Sequence, residues 1–123
     1  MFAAALILLL SLLQPASVIA SGLPSPEEMN HNIVGEWEAK TEDRIARVMI
    51  DESGHFSGVI GKNGKVLWLF SGSWVIRGKE LIWFYDQAVG QDAKIDKNAI
   101  LSLSSEILVL LETNGKITRY FRK

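Results

Sequence analysis

Lys65–Arg77 reads KVLWLFSGSWVIR. Every second residue, Val66, Trp68, Phe70, Gly72, Trp74 and Ile76, falls on one face, and all but the glycine are bulky and apolar. The opposite face carries Leu67, Leu69, Ser71, Ser73, Val75 and Arg77, apolar at first and more polar later. A period of two is that of a strand with one face in a core. Gly72 has no side chain to pack, which predicts a bend or the close approach of another backbone. The stretch is therefore a long, bent central strand, and its inner face supplies two of the four tryptophans.

The same alternation extends to both sides. Residues 33–40 place Ile33, Gly35, Trp37 and Ala39 on one face and Glu36, Glu38 and Lys40 on the other, so one side of this strand is solvated. Residues 44–51 and 55–61 follow as strands, with Ala46, Val48, Ile50 and then Phe56, Gly58, Ile60 facing in. Asn63-Gly64 is a strong hairpin signal before the central strand, and Gly78-Lys79 is a tight turn after it. Residues 80–86 form a fifth, very aromatic strand. Leu81, Trp83 and Tyr85 lie on one side and Ile82 and Phe84 on the other, so something should cover the outer face. After a loop at 87–96 come strands at 98–104, 106–112 and 117–122, the last two joined through Asn114-Gly115. Sequential strands joined by tight turns usually lie side by side. Eight of them can pair first with last and remove both exposed edges. The expected fold is all-β, an eight-stranded antiparallel up-and-down (meander) barrel over 33–123; a two-sheet sandwich is the alternative.

The first twenty residues stand apart. Ala3 to Leu13 is almost unbroken Ala, Leu and Ile, too short to span a bilayer, which needs about 20 residues. Val18 and Ala20 fit the small-residue rule for cleavage after Ala20. Residues 1–20 are read as a signal peptide and 21–32 as a flexible leader with one helical turn at Pro26-Glu27-Glu28-Met29. The expectation is an exported protein, secreted or periplasmic, with no membrane insertion after cleavage. A net charge of −1 argues against a nucleic-acid partner, which requires a basic face. The chain has no cysteine, so it has neither a disulfide framework nor a thiolate metal site. It must stand on its apolar core, as a monomer.

Several residues are candidates for function. The inward aromatics Trp68, Phe70, Trp74, Trp83 and Tyr85 could line a site for one small apolar molecule inside the barrel, or could simply fill it. His31 and His55 are the only histidines, too few for a typical zinc site, and no metal or other cofactor is expected. Glu80, Asp86, Asp92 and Asp96 match no calcium loop, and nothing in their spacing selects a catalytic pair. No nucleophile motif or phosphate-cradling loop is present, so no catalytic residue is assigned and the chain is not read as an enzyme. Lys116, Arg119, Arg122 and Lys123 form a basic C-terminal cluster, read as a solvated face with one member free to cap an indole.

Gly35-Glu36-Trp37 and Gly72-Ser73-Trp74 repeat one pattern, glycine making room for an indole near a barrel end. Together with Ser53-Gly54-His55-Phe56, Gly78-Lys79-Glu80-Leu81, Leu101-Ser102-Leu103-Ser104, Glu106-Ile107-Leu108-Val109-Leu110 and the closing Tyr120-Phe121-Arg122, these motifs follow one another in an order that resembles the small secreted lipocalin-like domains of bacteria. That resemblance implies a binding protein for a small apolar or amphipathic molecule. It also implies a barrel end at Gly35 and Trp37 closed by a basic residue of the last strand, Arg122, or Arg119 in another register. The chain is shorter than a true lipocalin, which puts a large cavity in doubt. In plan it is also similar to the periplasmic inhibitors of secreted metalloproteases, with Ser21-Gly22-Leu23-Pro24 as the arm; those inhibitors carry a disulfide that this chain lacks.

Overall fold

The computed structural model describes residues 23–86 and 94–123. The expected signal segment, Ser21, Gly22 and Asp92 lie outside the described residues. A helix, α1 (Pro26–Asn32), precedes eight strands: β1 (Gly35–Lys40), β2 (Arg44–Ile50), β3 (His55–Lys62), β4 (Lys65–Arg77), β5 (Glu80–Tyr85), β6 (Ile95–Leu103), β7 (Ile107–Leu111) and β8 (Ile117–Arg122). Each strand pairs antiparallel with the next, and β8 returns to β1 to close an up-and-down barrel. The seam pairs Trp37 with Arg122 and Glu38 with Phe121, and the Lys123 N–H donates to the Glu36 carbonyl at 2.9 Å. The sandwich alternative is thereby removed.

Turn chemistry sets the register. Asn63 and Gly64 both have positive φ, +52° and +78°, and form a two-residue hairpin loop whose twist matches the flanking strands. The second Asn-Gly turns differently. The Gly115 N–H donates to the Glu112 carbonyl at 2.9 Å, and only Gly115, at φ +85°, is left-handed. Asn114 adds a side-chain contact to this backbone bond, its Oδ1 accepting from the Lys116 N–H at 2.9 Å.

The central strand has the alternation that its sequence dictates, Trp68, Phe70, Trp74 and Ile76 turning inward. Val66 departs from it and is 62 % exposed. A bulge opposite Ile60 and Gly61 inserts one extra residue between Val66 and Trp68, which reverses the facing beyond it. Gly72 is a close-approach site: a Cβ there would lie 1.8 Å from the Phe84 carbonyl oxygen. The space that glycine leaves is taken by the backbone of β5, not by an indole.

β6 begins at Ile95, three residues earlier than its sequence suggests. Ile95, Asp96 and Lys97, which the sequence pattern leaves outside the strand, continue the alternation back from the buried Asn98, with Lys97 exposed and Asp96 half-buried. The segment read as a flexible leader is helical from Pro26 to Asn32. Ser25 accepts from the Glu28 N–H at 3.3 Å as N-cap, Pro26 occupies the first turn, and Met29 is buried. Met29 and Ile33, four apart, present one apolar stripe to the barrel end and join its core with Trp37, Ile50, Phe56, Trp74, Leu81, Leu103 and Leu108. On the outer face of β5, Ile82 is buried and Phe84 half-buried.

Outside the barrel, Glu38 faces away from the core yet is 7 % exposed, because Arg47 on β2, Lys40 on β1 and Lys123 beyond β8 surround its carboxylate at 2.7, 3.8 and 3.7 Å. The hydrogen bond from Arg47 holds the Glu38 carboxyl below its usual range. One anion thus staples the seam to both neighbouring strands.

Candidate functional site

The two barrel ends have different chemistry. At the end under α1, Trp37 is fully buried and its indole N–H donates to the Ile33 carbonyl at 2.8 Å. The Arg122 guanidinium lies over the Trp37 ring, 4.3 Å from its centroid. It donates to the carbonyls of Val34 (2.7 Å), Asn32 and Ser105. The Met29 and His31 carbonyls of α1 take the Ile33 and Val34 N–H groups, and Arg122 supplies the donor to the last helical carbonyl, Asn32, where a cation also suits the helix dipole. Gly35 is what admits the guanidinium: its φ is +136°, and a Cβ would meet Arg122 Nη1 at 2.2 Å. Gly35, Trp37 and Arg122 therefore form one closure, in which the glycine makes room for the cation. Arg119, the other basic candidate for this role, is exposed on β8. Trp74 also belongs to this end, donating from its indole to the Asp51 carbonyl at 3.0 Å.

The opposite end is less completely filled. Between β2, β3, β4, β5, β6, β7 and β8 lies an interior pocket of about 150 Å³. Of the five aromatics singled out in sequence, Phe70, Trp83 and Tyr85 line it. Trp74 lies at the other end, and Trp68 is half-buried beneath Arg44, whose guanidinium carbon is 5.3 Å from the ring centroid. Phe56 knits the pocket wall from behind, edge-on to Trp83 at 4.8 Å and to Tyr85 at 5.5 Å between centroids. Phe70 reaches inward because Gly58 opposite leaves room; a Cβ there would meet its ring at 2.3 Å.

The rest of the lining is polar: Asp96 and Asn98 from β6, Glu112 just past β7, and Tyr120 from β8. Asn98 is 5 % exposed. Its Oδ1 accepts from the Trp83 indole N–H at 2.7 Å, which fixes the orientation of the amide. Its Nδ2 is close enough to Asp96 to favour the charged carboxylate, yet reaches no acceptor at hydrogen-bonding geometry among the described residues. Glu112 accepts from the Thr118 hydroxyl. Burial raises the Asp96 carboxyl above its ordinary value, and the charge of Glu112 adds to the rise. Burial likewise pushes the Tyr120 phenol up, with Glu112, Tyr85 and Asp96 contributing. No ion pair reaches Asp96 or Glu112 among the described residues, and no Lys, Arg or His lines the pocket.

Asn98, Glu112 and Tyr120 were not singled out in sequence. The available signal was parity: each lies two positions from an inward residue, Ile100, Leu110 and Arg122 respectively. Elsewhere, His31 and His55 are both exposed, and the His55 ring meets the Ser53 hydroxyl at 2.9 Å. Among the described residues no three His, Asp or Glu side chains gather as a metal site. A shallow outer groove of about 690 Å³ crosses β1 to β4, with Met49 and Leu69 exposed at 44 % and 67 %. Comparison of the chain with protein-family models, with curated proteins and with solved structures finds no match.

Proposed function

We propose that this protein is an exported, non-catalytic, lipocalin-like binding protein that acts as a monomer and takes one small apolar or amphipathic molecule into the end of the barrel opposite α1. The observation that carries this reading is the pocket between Phe70, Trp83 and Tyr85. It leaves interior volume unfilled and a buried amide N–H group of Asn98 unpaired, whereas the space of about 980 Å³ at the α1 end is an open groove between the helix and the barrel rim. Buried polar groups without partners are rare in native proteins, and a ligand or ordered water is the usual complement. The volume limits the ligand. A cavity of about 150 Å³ holds a benzene-sized molecule, well below the ~300 Å³ at which drug-sized sites begin.

The test is a titration of tryptophan emission with three small amphipaths: cyclohexanol, 3,3-dimethylbutan-1-ol and choline. At least one should give a saturable change, because the Trp83 indole forms part of the pocket wall. Ala46→Leu, which adds three carbons to the lining, should abolish it. Linear drift with all three probes would sink the reading.

A protein-facing role is the second reading, favoured by the apolar strip of Met49, Val59 and Leu69 in the outer groove. The inhibitor version of it loses support at Leu23, which packs against the core instead of standing free as part of an arm.

A further inference from the structure

We infer that the molecule taken by the interior pocket is a small ammonium compound that also carries a hydroxyl or carbonyl oxygen. This inference rests on the binding reading above and narrows it.

Three features of the lining point to that chemistry. The first is charge. Asp96 and Glu112 face the pocket from β6 and from the end of β7, and no basic residue shares the lining. The ion pairs of the described residues all lie elsewhere, at Glu38 and Asp43. Burial raises the Asp96 carboxyl, the nearby Glu112 charge adds a smaller part, and no cation in the lining offsets either effect. A bound cation would do so.

The second feature is the wall. Phe70, Trp83, Tyr85 and Tyr120 surround the same volume, and Phe56 braces two of them edge-on. Aromatic rings around a carboxylate-bearing cavity suit alkylated ammonium groups, whose charge is spread over an apolar surface. A purely apolar ligand would gain from the rings but would bury both carboxylates against hydrocarbon. A purely anionic ligand would be repelled.

The third feature is the orphan donor. Asn98 is 5 % exposed, its Oδ1 is committed to the Trp83 indole, and its Nδ2, though near the Asp96 carboxylate, makes no well-formed hydrogen bond among the described residues. The amide cannot flip without breaking the indole contact. Nδ2 is a donor, so it calls for an acceptor oxygen on the ligand. The acceptor and the ammonium must lie within a few bonds of each other, since the pocket is only about 150 Å³. Small amino alcohols and amino carbonyl compounds meet all three demands, and choline is the simplest probe with a neutral counterpart of the same shape.

The experiment compares choline with 3,3-dimethylbutan-1-ol, in which carbon replaces the quaternary nitrogen, on the full-length protein. Choline should bind about tenfold tighter or better than the alcohol, as expected for one cation–π contact together with an uncompensated carboxylate. Glu112→Gln and Asp96→Asn should each narrow that preference while leaving the far-ultraviolet circular dichroism unchanged. Equal binding of the two probes, or preference for the alcohol or cyclohexanol, would overturn the ammonium assignment and leave the small-molecule reading standing. Saturation by none of the probes would overturn both. A preference for choline that persists undiminished in both variants would place the cation elsewhere on the molecule, and would equally overturn the assignment.

Discussion

Arg122 carries more connections than any other side chain at the helix-capped end. It covers the Trp37 ring and supplies donors to carbonyls of the α1 exit and of the β6–β7 turn. Lysine has the charge but not the planar fork, so it could not serve ring and carbonyls together. Trp37, beneath it, is fully buried. Trp37→Ala should cost about 3–5 kcal/mol, as large aromatic truncations in cores do; an unchanged denaturant midpoint would refute that. Asp96 behaves oppositely. Its carboxyl is raised from 3.8 in the folded protein, so the folded state holds a proton that the unfolded chain has already released. Its favourable contribution is complete below pH 3.8 and is lost as the pH rises through the folded-state value. Asp96→Asn should therefore match the wild type in thermal midpoint at low pH and exceed it at neutral pH. A variant less stable at pH 7 would show that the carboxylate is paired rather than stranded.

At the scale of the element, β4 is the strand on which the others depend, and its tolerance is narrowest at Gly72. A side chain there would meet a backbone oxygen, not the flexible end of a neighbouring residue. Gly72→Ala should cost about 3 kcal/mol or more, at or beyond the upper end of overpacking, whereas a Cβ at Gly58 meets the Phe70 side chain at 2.3 Å and a backbone oxygen, that of Arg47, only at 2.9 Å, so Gly58→Ala should cost less. Thermal melts of the two variants check the order. The elements also show what local sequence can carry. Period-two patterning and turn residues specified all eight strands, because barrel strands must alternate and their loops demand particular φ values. The helix was legible only as a single turn: Pro26, Glu27 and Glu28 mark its start, but Met29 and Ile33 alone supply its apolar stripe. The start of β6 was lost for a related reason, since an inward Asp96 looks like loop until a pocket is there to receive it.

At the scale of the whole molecule, the division between a sealed end and a pocketed end was partly legible. Gly35 and Trp37 could be picked out as a glycine and an indole two apart on one strand face, whereas their basic partner, Arg122 or Arg119, came only from what the resemblance to lipocalin-like domains implies. The pocket could not be picked out, because its polar members come from β6, the end of β7 and β8 and are brought together only by closure. Aromatic inward residues were visible in sequence, but which end each occupies depends on its position along a tilted strand. That is why Trp68 and Trp74 separate from Phe70, Trp83 and Tyr85.

The Arg122 side chain grips the Val34 carbonyl across a separation of 88 residues. A nascent chain emerges N-terminal end first, at roughly 5–20 residues per second. Until residue 122 leaves the ribosome, α1 has no clamp on its exit and β1 has no partner on its far side. Every shorter intermediate is a sheet with two raw edges, the form most open to pairing with a neighbour. Such a design leaves the ring open until β8 has emerged, and then closes it in one late, cooperative step.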